Sequence, residues 1–362
     1  MIDHLDMNFI KRYIAILPAI FLLACGYEPE PGPLNNLGGA ERNACFEEYG
    51  EFYNTTTFND FIENAEDTSG AVTYPLVMEA YSYMVATEQG SLVRISDNDH
   101  VWTAALESDE IVAAGMCADI DKNIYALTLD GVIHSYSYDG KLRWKRRMDI
   151  DTSRAVIFSH LLAVPEGIAA ASSDGLIEFL GHDGNLKWSR RSEWSATEMF
   201  AADDNYDLLV ALTYNQFGAS DSLLCIDQEG NEKWKTGFRK IRLLGSPIFN
   251  NGKIYVRGMG EAGSRGPSYI MALDTNGKEL WKKKMPVVQR HMSASENRNE
   301  IYVTGYDAGL GQALSGIHCF DDEGNQKWQI YLEATIPAPV LVADKYLAVI
   351  GITPGAAGLY FL

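Results

Sequence analysis

The side chains that could do chemistry are few and scattered. Asp119-x-Asp121-x-Asn123 opens like a calcium loop, three oxygen ligands at alternate positions. In such a loop position six is Gly and position twelve a bidentate Glu; here they are Ile124 and Asp130. A polar turn is the better reading, since equivalent turns recur at Asp203–Asp207 and Ser295–Glu300. Seven His are dispersed without metal-ligand spacing. The chain has no Gly-x-Ser-x-Gly elbow, no His-Glu-x-x-His and no phosphate-binding loop. Cys45, Cys117, Cys225 and Cys319 are far apart, and the last three lie in apolar runs that suit buried free thiols. No catalytic residue, cofactor ligand or metal ligand is therefore assigned. A site assembled across distant segments would escape this search.

The fifth cysteine has a different setting. Lys11 and Arg12 precede an apolar run, Ile14 to Leu23, broken only by Pro18, and the run ends in Leu22-Leu23-Ala24-Cys25. Positive charge, then a short apolar stretch closed by a small residue, is a secretory signal and too short for a membrane span. The last four residues resemble a bacterial lipobox, which implies that Cys25 is lipidated. Gly26, where an Asp would retain the protein at the inner membrane, favours outer-membrane sorting. Gly26-Tyr27-Glu28-Pro29-Glu30-Pro31-Gly32-Pro33 follows as a tether. At roughly 3.1 Å per residue, residues 26–40 would reach about 45 Å from the lipid. The expected organisation is a signal peptide over 1–24, a lipidated Cys and flexible tether over 25–44, and a folded domain over 45–362.

Charge narrows the partners. The chain has 49 acidic and 30 basic residues, a net −19. A phosphate backbone wants a basic surface, so nucleic acid is excluded as a partner.

The folded part is a repeat. Trp102, Trp144, Trp188, Trp234, Trp281 and Trp328 recur every 42 to 47 residues; Trp194 is out of period. In the last five copies Gly stands four residues before Trp and an apolar residue eight before, as in Tyr136 to Trp144 and Leu273 to Trp281. Ile95 to Trp102 is a copy shortened by one residue. Within one period, Ile111–Ala118, Ile124–Leu129, Val132–Ser137 and Leu142–Arg146 are short apolar or alternating runs separated by turns such as Asp130-Gly131. Four strands per repeat predict an all-β fold, a β-propeller of four-stranded blades. Each Trp is expected on the outermost strand, flat against the Gly of the next blade. Seven blades are favoured, the last closed by an N-terminal strand such as 50–58 from the region 45–70; the alternative is eight with a truncated C-terminus.

Ala272-x-Asp274-x-x-Gly277-x-x-x-Trp281 resembles the tryptophan-docking motif of quinoprotein (PQQ-like) propellers, over roughly residues 71–362. With Cys25, the resemblance extends to the propeller lipoproteins of the outer-membrane β-barrel assembly machinery. It implies a non-enzymatic scaffold with protein partners, held to the outer membrane by its lipid and facing the periplasm or the cell surface. A quinoprotein-like cofactor-binding enzyme and a surface adhesion or glycan-binding propeller are the alternatives. The adjacent cysteines of many quinoprotein dehydrogenases are missing, and no cofactor is expected.

Loop lengths single out one face. The loops between second and third strands are Gln89-Gly90, Asp130-Gly131 and Asp174-Gly175 in blades 1 to 3. They lengthen to 215–221, 258–268, 307–314 and 353–357 in blades 4 to 7. Long loops on a rigid scaffold are where binding resides. Phe217, Met259, Arg265 and Leu310 are the candidate partner surface.

Overall fold

The computed structural model describes residues 76–361, apart from 80–81, 88–89, 97–98, 107–115, 152–155, 193–199, 214–220, 261–266, 307–313, 337–338, 344–346 and 354–355, together with 34–35 and 45–46. No described residue is helical. The chain is a β-propeller, and its described strands form seven sheets. Blade 1 comprises Leu76–Glu79, Ser82–Ala86, Ser91–Ser96 and Asp99–Ala105. Blade 2 comprises Cys117–Ala118, Ile124–Leu127, Val132–Tyr136 and Leu142–Arg147. Blade 3 comprises Leu162–Val164, Gly167–Ala171, Leu176–Leu180 and Leu186–Arg191. Blade 4 comprises Phe200–Ala202, Leu208–Leu212, Asp221–Ile226 and Glu232–Phe238.

Blade 5 has a broken first strand, Ile241–Leu243 and Ile248–Asn250, followed by Lys253–Gly260, Ser268–Asp274 and Glu279–Met285. Blade 6 comprises Val288–Ser295, Glu300–Tyr306, Ser315–Asp321 and Gln326–Leu332. Blade 7 adds Leu341–Ala343, Leu347–Thr353 and Ala356–Phe361. Consecutive strands of each blade pair antiparallel, and from blade 2 to blade 7 the first strand of each blade touches that of the next.

Burial explains the sequence pattern. Gly167–Ala171 and Leu176–Leu180 are buried at every position. A strand covered on both faces reads as a continuous apolar run, not as an alternating one. The outer strands alternate instead: in Leu142–Arg147 and Leu186–Arg191 only alternate side chains, Trp144 and Arg146, Trp188 and Arg190, are half-buried. The core is divided into one apolar cluster per inter-blade gap, for example Ile177, Phe179, Val210 and Leu224 between blades 3 and 4. The Asp130-Gly131 and Asp174-Gly175 hairpins close as read, with both glycines at positive φ.

The N-terminal contribution to blade 7 differs from the expectation. Residues 50–58 lie outside the described part. Cys45–Phe46 pairs parallel with Leu341–Ala343, on the inner edge of the sheet rather than beyond Ala356–Phe361. Leu34–Asn35 likewise pairs with the first strand of blade 2 and touches the first strands of blades 1 and 3. An inner strand presents a free row of N–H and C=O groups towards the axis, and the chain before the repeats supplies partners for it.

Candidate functional site

The docking contacts are built by local turn chemistry. In the turns before the outer strands of blades 3 to 6 an acidic side chain caps the backbone: Asp274 Oδ1 accepts from Asn276 N and Lys278 N, each at 2.9 Å, and Asp321 Oδ1 accepts from Asn325 N at 2.7 Å. The turn ends on a glycine at positive φ, such as Gly184 at +84°. A side chain there would be strained and would also collide with the ring it faces. The neighbouring blade's Trp lies on that glycine: Trp102 on Gly140, Trp144 on Gly184, Trp188 on Gly230, Trp234 on Gly277 and Trp281 on Gly324. Each indole N–H donates to the carbonyl two residues before the glycine, from Trp102 to Tyr138 at 3.1 Å through Trp281 to Asp322 at 2.9 Å. Trp328 packs on Tyr302 and the apolar cluster of blades 6 and 7. Trp194 lies outside the described residues.

A second recurring device carried no signal in the sequence reading. In six blades the outer strand has a β-bulge immediately before the Trp, in the last five at the residues 143, 187, 233, 280 and 327. The bulge turns that side chain back over the blade. Lys233 reaches Asp207, Lys327 reaches Glu300, and Arg143 reaches Ser135 Oγ at 2.9 Å. The lysines before Trp234 and Trp328 are thus partners for acids elsewhere in their blades. Arg190 adds a contact between blades, its Nη2 lying 2.6 Å from Glu232 of blade 4.

The polar clusters with chemical potential lie on this scaffold. Asp119 is buried and accepts from Asn123 N (2.8 Å) and from the Tyr125 hydroxyl (2.6 Å); His182 Nδ1 lies 3.2 Å from the same hydroxyl. The oxygens of Asp119 are committed to closing a turn, with Lys122 at φ +61°. Asp203, Asp207 and Cys225 bring potential metal-ligand atoms within 4.8 Å of one another. Yet Asp203 accepts from Asn205 N and Asp207 N, Asp207 pairs with Lys233, and burial pushes the Cys225 thiol up to about 12. The two carboxylates are thus already engaged, one by turn N–H groups and the other by Lys233. Cys117 and Cys319 are also buried free thiols.

Of the candidate partner residues, Phe217, Arg265 and Leu310 lie outside the described residues. Met259 is placed differently from the loop position read for it: it is half-buried within Lys253–Gly260, paired with Ser268 and Arg242. The strands of blade 5 run on because Lys253 to Met259 keep an unbroken ladder with Asp274 to Ser268. In blade 7, Thr353 pairs with Ala356, so the strands there come to within two residues of each other and no long loop separates them.

Trp-on-Gly docking between four-stranded blades defines the class: the chain is a β-propeller that resembles the PQQ-like propellers. Within that class it resembles BamB, since residues 198–335 match the family described as outer membrane protein assembly factor BamB. Among solved structures, BamB from Moraxella catarrhalis superposes with a TM-score of 0.57 at 14% identity, covering 79% of this chain and 82% of that one. A europium-containing methanol dehydrogenase superposes with a TM-score of 0.61 at 12% identity, covering 93% and 86%. At such identities the likeness concerns the fold alone. No curated protein matches the sequence.

Proposed function

We propose that this chain is a non-catalytic lipoprotein scaffold, anchored to the outer membrane through Cys25, that binds protein partners of an outer-membrane assembly complex. The observation that carries the reading is the match of residues 198–335 to an outer membrane protein assembly factor, joined to the Leu-Leu-Ala-Cys string. The rigid docked blades suit a scaffold whose partners meet its loops. The sequences 215–220, 261–266 and 307–313 are the candidate contact segments on that face. The test is purification of the lipidated protein from detergent-solubilised membranes, with partners identified by mass spectrometry. Recovery of barrel-assembly components with wild type, and their loss when 261–266 and 307–313 are replaced by Asp-Gly hairpins at unchanged melting temperature, is the expected result. Palmitate labelling that is unchanged in Cys25→Ala would overturn the anchor.

A second reading, a quinoprotein enzyme, has support from the methanol dehydrogenase likeness over 93% of this chain. Reconstitution with PQQ and Ca²⁺ or a lanthanide, followed by dye-linked alcohol oxidation, separates the two readings. Reproducible turnover would favour the enzyme.

A further inference from the structure

Between blades 5 and 6 the structure buries a charge without a counter-charge. Arg257 is 6% exposed, and its Nε and Nη1 meet no acceptor. Burial pushes its pKa down to about 10, so it remains a cation at neutral pH. A buried guanidinium left unpaired is costly.

The register shows what surrounds it. Side chains two apart on a strand share a face. Arg257 is two residues beyond Tyr255 and pairs with Ile270, both in the apolar cluster between blades 5 and 6. One row on, Met259 pairs with Ser268 and Ser268 with Met285 of the same cluster. Across the gap, Gln289 pairs with Gly305, and Gly305 is two residues beyond Val303 of that cluster. Gln289 and Ser268 are both buried, and Gln289 Oε1 and Nε2 and Ser268 Oγ also have no partner.

Gly305 pairs with Gly316, so two neighbouring positions of blade 6 carry no side chain of their own, and over Gly316 the space is taken by His318 and Tyr331. A Cβ at Gly316 would come within 2.8 Å of His318 Nε2 and 3.0 Å of Tyr331 Cε1. On the blade 5 side, the first strand breaks at 244–247, and Gly245 arches over Arg257 so closely that a Cβ there would lie 2.2 Å from Nη2. Leu244, Gly245 and Ser246 in this arch are part-exposed. Among the residues of these facing rows none is Asp or Glu.

We propose that the gap between blades 5 and 6 is a carboxylate-binding site. Arg257 supplies the charge and a planar set of N–H donors, and Ser268 and the Gln289 amide supply flanking hydrogen bonds. A planar guanidinium matches a carboxylate geometrically. The carboxylate comes either from a small free acid or from a peptide whose acidic group reaches under the arch. The site does not depend on the scaffold reading: a scaffold that fails to recover partners can still bind carboxylate here.

The test uses the full chain, thermal melts and calorimetry. The probes are succinate, a hexapeptide with a free C-terminal carboxylate, its C-amidated twin and inorganic phosphate. A ligand of the folded state raises the melting temperature as it saturates. The expected result is a saturable rise with succinate or with the free-carboxylate peptide, and none with the amidated twin or phosphate. Arg257→Met should abolish the rise while leaving the ligand-free melt unchanged or higher, because it removes an unpaired buried charge. Ser268→Ala should weaken binding about tenfold, and serves as the test should Arg257→Met not fold. A response to succinate identifies a small acid, and one to the peptide alone identifies a chain end. No saturable response to either carboxylate, an equal response in Arg257→Met, or saturation by phosphate would overturn the proposal.

Discussion

The six-membered ring of Trp144 lies on Gly184 of the next blade so closely that a Cβ on the glycine would stand 2.7 Å from the ring's Cδ2. The indole N–H meanwhile donates to His182 O at 3.0 Å. Two demands meet at one residue, a left-handed backbone and an empty side-chain position.

Those demands can be separated. Gly184 has both the positive φ and the ring above it, whereas Gly252, at φ +70°, has nothing within 4 Å of a would-be Cβ. Gly252→Ala should lose only the backbone term, about 1 kcal/mol, and Gly184→Ala about 2–4 kcal/mol once overpacking is added. Urea denaturation of the two variants compares them. Equal losses would refute docking as a steric fit.

Two buried carboxylates should respond to pH in opposite directions. Burial works against the charge of Glu300, but hydrogen bonds from Lys327 and Tyr302 hold its carboxyl below the usual range. The unfolded chain then binds the proton more tightly, so this stability is present above about pH 4.3 and is lost as pH falls towards the folded value. Glu300→Gln should flatten the acid limb of melting temperature against pH.

Glu178 is the converse case. Burial raises its pKa, and Arg146 Nε, at 3.9 Å, is too far to hydrogen-bond its Oε2. Its stabilising contribution is complete below about pH 4.3 and is lost as pH rises through the folded value. Glu178→Gln should therefore raise the melting temperature at pH 7 more than at pH 4.

Thiol reactivity reports the inter-blade cores. Burial pushes the thiols of Cys225 and Cys319 up to about 12. At pH 8 iodoacetamide should leave both unlabelled in the native protein and label both in denaturant, as peptide mass spectrometry would show. Native labelling at the unfolded rate would contradict their burial.

The inner-edge pairing can be trapped. Asn35 stands opposite Cys117 in the antiparallel register. Such pairs lie about 4.5–5.5 Å apart at Cα, within disulfide range. Asn35→Cys should form a cross-link under mild oxidation that disappears in the Asn35→Cys, Cys117→Ser double variant. A linear Asn35→Cys peptide map after oxidation would refute this pairing.

The sequence by itself determined the repeat and its turns. Gly four residues before Trp is a local pattern, and a glycine at φ > 0 before an outer strand follows from chain sterics. Those same residues, Gly184 and Gly277 among them, are where the blades dock. Tertiary structure alone decided which groups meet across a gap. Arg257 and Gln289 are 32 positions apart and carry no motif; only the strand register turns both into the space between blades 5 and 6. The β-bulges before Trp234 and Trp328 were equally hidden, because a Lys beside a Trp reads as a solvated charge until the bulge points it at an acid. Met259 falls in the run 258–268 that reads as an expanded loop, but the ladder of blade 5 continues through Gly258 and Gly260. Local sterics are written in neighbouring residues. Partners across a gap depend on strand register, which is set by the burial of whole faces.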